Sequence, residues 1–189
     1  MEPIPPRRGP GRVILLNGAS SSGKSTLAKA LQRALDEPFL YVASDQFVAS
    51  GMLPERRDGE GPFAWWNGMR PRFFDGFHRC LPALAGAGND LIVEHVIEFR
   101  AWRHCLARLL EGFDVFLVGV HCDLAEIDRR ERERGDRRAG EGRSHVETDG
   151  IHTFGPYDYE VDTSAGVSAP LVESVLGAWR SRGTRRALV

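Results

Sequence analysis

The sequence predicts an α/β domain three layers deep, in which five short apolar strands alternate with helices. Three observations carry this. Short apolar runs recur along the chain, bounded by turn residues and followed by longer helical segments, as in successive βα units. The first run opens onto a glycine-rich loop that leads straight into a helix. The chain has 189 residues, enough for a single domain over 1–189 with a sizeable core.

The first strand is Val13 to Leu16. Gly18 to Ser25 then reads Gly-Ala-Ser-Ser-Ser-Gly-Lys-Ser, which fits G-x-x-x-x-G-K-[ST], and Thr26 to Leu35 continues as a helix. In that strand-helix setting the motif is a phosphate-binding loop. Gly18 and Gly23 allow backbone conformations closed to other residues. The N–H groups from Ala19, Ser20, Ser21 and Ser22 through to Thr26 can then turn inward on phosphate oxygens. The helix N-terminus adds about half a positive charge. Lys24 is placed to reach the β- and γ-phosphates of ATP, and Ser25 to offer its hydroxyl to Mg²⁺.

Phe39 to Ala43 is the second strand and delivers Ser44-Asp45 to the carboxyl edge of the sheet, where open α/β sheets bind ligands. Asp45 there is a catalytic carboxylate or the N-cap of the following helix. Residues 46–80 form a distinct region. Gly51 to Gly61 is loop-like, and Phe63, Trp65, Trp66, Phe73, Phe74 and Phe77 follow, with Met52, Leu53 and Met69 nearby. The cluster reads as a helical layer on the core or, as a whole, as the wall of a substrate pocket. A helix over Arg72 to Leu84 and a turn over Ala85 to Asn89 lead to the third strand, Asp90 to Ile97. Its apolar run ends in Glu94, the place where a carboxylate serves Mg²⁺. His95 and Glu98 are candidate substrate contacts or polar caps.

Arg100 to Leu110 is a helix and Asp114 to Val120 the fourth strand. His121-Cys122-Asp123 is no metal site, because adjacent strand residues face opposite ways. Leu124 to Arg143 alternates arginines with acids. It is either a solvated helix laced with i,i+4 pairs or an arginine-rich lid whose guanidinium groups meet a transferring phosphoryl group. Gly135 and Gly140 interrupt it as a hinge would, which singles out Arg134 and Arg137 for the site. His145 and His152 read as surface residues of a polar loop. Tyr157 to Val161 is the fifth strand and Pro170 to Arg180 the closing helix, followed by a fraying tail over Arg182 to Arg186.

The net charge of −1 argues against a nucleic-acid binder. Cys80, Cys105 and Cys122 form neither a disulfide frame nor a zinc motif. Residues 1–12 read as a flexible arm and not a signal peptide, and no stretch approaches the ~20 apolar residues of a membrane span. A soluble, cytoplasmic protein is expected, with homo-oligomeric assembly left open.

The motifs also resemble a known family. Ile14 to Ser25, Glu37-Pro38-Phe39-Leu40, Ser44-Asp45, Val118 to Asp123, Glu133-Arg134-Gly135-Asp136-Arg137 and Tyr157 to Thr163 are similar, in order, to the chloramphenicol phosphotransferases. The resemblance implies a P-loop kinase fold with five parallel strands and an ATP- and Mg²⁺-dependent transfer of the γ-phosphate to a hydroxyl of an antibiotic-like small molecule. It implies Asp45 as the general base, Arg134 and Arg137 as phosphate-clamping lid residues, and a role in antibiotic resistance. Where the family carries two acids after the third strand, this chain has Glu94-His95, and residues 51–80 do not align with the family's pocket. A metabolite kinase acting on a sugar, shikimate-like or nucleoside acceptor shares the architecture. A nucleotide-binding switch is the non-kinase alternative, although no N-K-x-D motif is present.

Overall fold

A computed structural model describes residues 9–52, 66–134, 140–183 and 187–188. Five parallel strands form one sheet: β1 (Arg12–Gly18), β2 (Phe39–Ala43), β3 (Asp90–His95), β4 (Asp114–His121) and β5 (Tyr159–Asp162). Their order is β2-β3-β1-β4-β5. Helices α1 (Lys24–Ala34), α2 (Ser44–Ala49), α3 (Trp66–Gly86), α4 (Arg100–Leu109), α5 (Leu124–Arg134), α6 (Glu141–Glu147) and α7 (Ala169–Ser181) fill the connections.

The three layers follow from the two-residue repeat of a strand. Val13 and Leu15 of β1 join Leu91, Val93 and Leu117 on one face, under Phe77, Leu81 and Leu106 of α3 and α4. Ile14 and Leu16 join Ile92, Phe116 and Val118 on the other, under Leu27, Leu31, Val175 and Leu176 of α1 and α7. Both faces are covered, so the strands read as continuous apolar runs and not as alternating ones. A third, smaller cluster of Ala19, Ile127 and Ile151 lies beneath the glycine-rich loop and α5.

Several boundaries differ from the sequence reading. Arg12, assigned to the flexible arm, starts β1. Its guanidinium bonds the buried Asp90 at 2.6 Å and also reaches Glu37, while the Gly11 N–H donates to the Ala85 carbonyl. The helix expected from Arg72 begins at Trp66 and runs through Pro71 and Pro82. Each proline forfeits one backbone hydrogen bond, which burial of Phe74, Phe77 and Leu81 offsets. β3 stops at His95, two residues early. Arg182, placed in a fraying tail, packs its guanidinium 3.2 Å from the Trp179 ring centroid and pairs with Asp114. Leu188 is buried in the core.

Candidate active site

β1 has β3 on one side and β4 on the other, while the chain after β1 crosses to β2 at the sheet edge. This strand reversal opens a crevice beyond the carboxyl ends, the place where open α/β sheets bind ligands. A cavity of about 540 Å³ occupies it. Ser20, Ser21, Gly23, Lys24, Ser25, Thr26, Asp45, Glu94 and Arg134 all border it.

The loop is tightly determined. A Cβ on Gly18 would lie 2.4 Å from the Val120 carbonyl oxygen, so only glycine lets the chain leave β1 there. Ser21 and Gly23 take left-handed conformations, φ 59° and 90°. For the serine this is strain, of the kind stored at ligand clamps. The hydroxyls of Ser21 and Ser22 are buried and have no hydrogen-bond partner among the described residues. Lys24 is buried, with its ammonium 2.6 Å from the Ala19 carbonyl. The orphaned Ser21 hydroxyl, a buried cation and a helix N-terminus border one concavity, and that donor set fits a polyphosphate.

Beside the loop, Ser25 donates to Glu94 at 2.8 Å. Tyr41 donates to the other oxygen of the same carboxylate. Burial and the Glu94 hydrogen bond push the Tyr41 phenol well above its ordinary range, so it stays a donor. Asp45 stands in the first turn of α2. It is not the N-cap: Gln46 accepts the Ala43 N–H at 3.0 Å instead.

The arginines of the segment divide by direction, some along the exposed face of α5 and some toward the cavity. Arg129 is exposed and pairs with Glu126 and Glu133 along α5. With Arg130, it holds the Glu126 carboxyl down at about 2. Arg130 turns inward, bonding the Thr163 carbonyl at 2.6 Å and the Ser21 carbonyl at 3.4 Å. Arg134 ends α5 at the cavity rim, and Arg137 with Gly135 lies outside the described residues. The chain resumes at α6, whose N-terminal Gly140 and Gly142 N–H groups are held by the buried Glu131 carboxylate at 2.8 and 2.6 Å.

The histidines correct the sequence reading. His145 is buried, and its Nδ1 accepts the Ser20 N–H at 3.2 Å, tying α6 to the loop. His152 is half-buried against Tyr157, 2.8 Å from its hydroxyl, and burial lowers it to about 4. Glu98, His145 and Asp149 bring one ligand atom each within 4.8 Å of one another. The Ser20 bond takes the His145 Nδ1 lone pair and so puts the proton on Nε2, the nitrogen 3.9 Å from Glu98. That nitrogen then donates and does not coordinate.

The model of the chloramphenicol phosphotransferase-like proteins matches residues 11–180. The chain belongs to that family. A Mycobacterium tuberculosis (strain H37Rv) protein named "Putative O-phosphotransferase Rv2636" is 32% identical over 174 residues, 82% of this chain and 76% of the relative. Among solved structures, the M. tuberculosis APS kinase CysC with AMPPNP and APS aligns with TM-score 0.64 at 20% identity, covering 92% of this chain and 99% of that one. A Sinorhizobium meliloti gluconokinase aligns with TM-score 0.53 at 17% identity over 92% and 94%. At these identities the likeness is one of fold, that of the P-loop kinases. No described helix is long and apolar enough to cross a membrane.

In this family member, Trp66, Arg70 and Phe74 of α3 line the same cavity together with His95 and Glu98. Phe63, Trp65 and Leu53 lie outside the described residues, while Phe73 and Phe77 pack on the core. The aromatic stretch therefore divides between the cavity lining and the core. Arg70, unmarked in the sequence, pairs with Glu98 and lies 5.0 Å from the Phe74 centroid. Burial raises the Glu98 carboxyl.

Proposed function

We propose that the protein transfers the γ-phosphoryl group of ATP to a hydroxyl of a small, antibiotic-like molecule. That it is an O-phosphotransferase follows from its family and its P-loop kinase fold. The finer reading rests on one observation: Asp45, Lys24, Ser25, Glu94 and Arg134 line a single cavity together with the aromatic and polar side chains of Trp66, Arg70, Phe74 and Glu98.

The loop N–H groups and Lys24 hold the β- and γ-phosphates. Ser25 and Glu94 present oxygen donors, the set a hard divalent cation takes, and they would hold Mg²⁺, which would supply charge neutralisation to the phosphates. Asp45 accepts the proton of the acceptor hydroxyl as its oxygen bonds the γ-phosphorus and the bond to the bridging β–γ oxygen breaks. Arg134 and Arg137 stabilise charge on the equatorial oxygens of the transferring group. A pocket faced by Trp66 and Phe74 suits an acceptor with an apolar body, which supports an antibiotic-like compound over a sugar.

The test is turnover of Asp45→Ala on an acceptor identified by ATP-dependent mass gain of one phosphoryl group. The variant keeps ATP affinity and loses about 10²–10⁴-fold in kcat, the usual contribution of a general base. Unchanged turnover removes Asp45 from that role.

A further inference from the structure

The end of β3 holds a feature that phosphate chemistry leaves unused. His95, paired in register with Asn17 of β1, is 2% exposed and borders the cavity. Its Nε2 lies 2.8 Å from Nε2 of His78 on α3, which is 1% exposed. The His95 ring stacks on Trp102 with centroids 5.6 Å apart and planes at 13°, and Phe74 and Phe77 flank it. Its Nδ1 is buried and has no hydrogen-bond partner among the described residues.

Two rings so enclosed do not carry charge. Burial drives His78 down to about 4, and with two facing nitrogens 2.8 Å apart only one of them can carry a hydrogen between the rings. Between them they share one N–H···N bond, and its direction fixes what Nδ1 offers. If His95 Nε2 donates, Nδ1 has a lone pair; if it accepts, Nδ1 carries the hydrogen. Reversal of that bond, in which both neutral rings change tautomer, thus turns the orphan nitrogen from acceptor to donor.

The neighbouring wall is also electrically balanced. Arg70 is paired with Glu98 and stacked over Phe74 and Trp102, with its charged carbon 5.0 and 5.4 Å from their centroids. The other described cations that border the cavity, Lys24, Arg130 and Arg134, belong to the loop and to α5. A carboxylate on the acceptor would have to break the Arg70–Glu98 pair, whereas a neutral polar group needs only a hydrogen-bonding partner.

We propose that His95, held by His78, is a specificity-determining anchor: its Nδ1 hydrogen-bonds an uncharged hydroxyl or amide of an alcohol whose apolar body rests on Trp66 and Phe74. This rests on the reading of the cavity as a kinase acceptor site. A site built around a polar contact discriminates strongly, because an analogue lacking the group leaves the nitrogen orphaned.

The experiment assays the full chain with ATP and Mg²⁺ on neutral alcohols (chloramphenicol, 1-phenyl-1,2-ethanediol) and on hydroxy acids (mandelate, shikimate, gluconate). Phosphoryl gain is followed by mass. The expected result is phosphorylation of a neutral alcohol in preference to every hydroxy acid. His95→Leu then raises the acceptor KM by about 10- to 100-fold with the ATP KM unchanged. His95→Asn, whose amide reaches the Nδ1 position, restores most of it. Because His95→Leu also removes the partner of the buried His78, ¹⁵N-histidine spectra of the wild type supply a second readout: the His95 Nδ1 resonance shifts on adding the phosphorylated alcohol. Preference for a hydroxy acid, an unchanged KM in His95→Leu, or an unmoved resonance overturns the anchor and leaves phosphoryl transfer standing. ATP binding with no phosphoryl gain on any compound overturns both.

Discussion

Gly142→Ala tests whether α6 is a working part of the nucleotide site. A Cβ at this position would lie 2.5 Å from the Ser20 carbonyl oxygen, 2.6 Å from Ile127 Cγ2 and 3.0 Å from a Glu131 carboxylate oxygen. Ser20 offers backbone, and Ile127 is fully buried, so neither can swing aside. Ordinary contact begins at 3.4 Å. The helix must therefore back away from the loop by roughly 1 Å. That displacement stretches the Ser20–His145 bond from 3.2 Å beyond hydrogen-bonding range. Overpacking of this kind costs about 1–3 kcal/mol. For a chain of this size the melting temperature then falls by roughly 2–12 °C. Differential scanning calorimetry reads that shift, and isothermal titration with ATP reads the loop. Weaker ATP binding is expected together with the lower melting temperature. A variant that melts and binds ATP like the wild type would refute the claim that α6 braces the loop.

Stability should also fall on acidification. His78 is held at about 4 in the fold against an ordinary 6.5, so below pH 6.5 the unfolded chain takes up the proton first. Its contribution is complete above pH 6.5 and is lost as pH drops toward 4, with a slope of up to ~1.4 kcal/mol per pH unit. His95, lowered in the same direction, adds to the slope. Urea titrations across this window should show the decline, and His78→Phe should flatten it; an equally steep decline in the variant would exclude the pair as its source. Glu94→Gln keeps groups able to bond Ser25 and Tyr41 but removes the charge. The Mg²⁺ concentration for half-maximal turnover should rise about 10- to 100-fold, and an unchanged Mg²⁺ titration would take Glu94 out of the cation site.

How far the sequence carries depends on how local the determining physics is. The strand, loop and helix of residues 12–34 are legible because their glycines, lysine and serine act within a few residues of one another. Both faces of the sheet could be read from apolar runs, since burial on two sides leaves nothing to alternate. His145 could not be read. Its role is a bond to Ser20, 125 residues away, and a lone histidine in a polar segment carries no mark of that contact. Arg130 is one of seven arginines between Leu124 and Arg143, and only the turn of α5 points it at Ser21 and leaves Arg129 in solvent. Arg12 looked like part of a loose arm because Asp90, its buried partner, stands at the start of a different strand. α3 starts at Trp66, ahead of the expected Arg72, and runs through Pro71 because packing of its aromatic face outweighs the proline's local preference. His95 was visible as a departure from the paired acids of the family, but its dyad with His78 is set by the docking of α3 on β3.

The account turns on where the γ-phosphoryl group goes. Incubation of the protein with γ-³²P-labelled ATP, Mg²⁺ and the panel of neutral alcohols, followed by chromatography, reads this directly. The account predicts label in an alcohol, as a phosphate ester formed in step with ADP. Label released only as inorganic phosphate at the same rate with and without every alcohol would contradict it, and would mark the site as that of a nucleotide hydrolase.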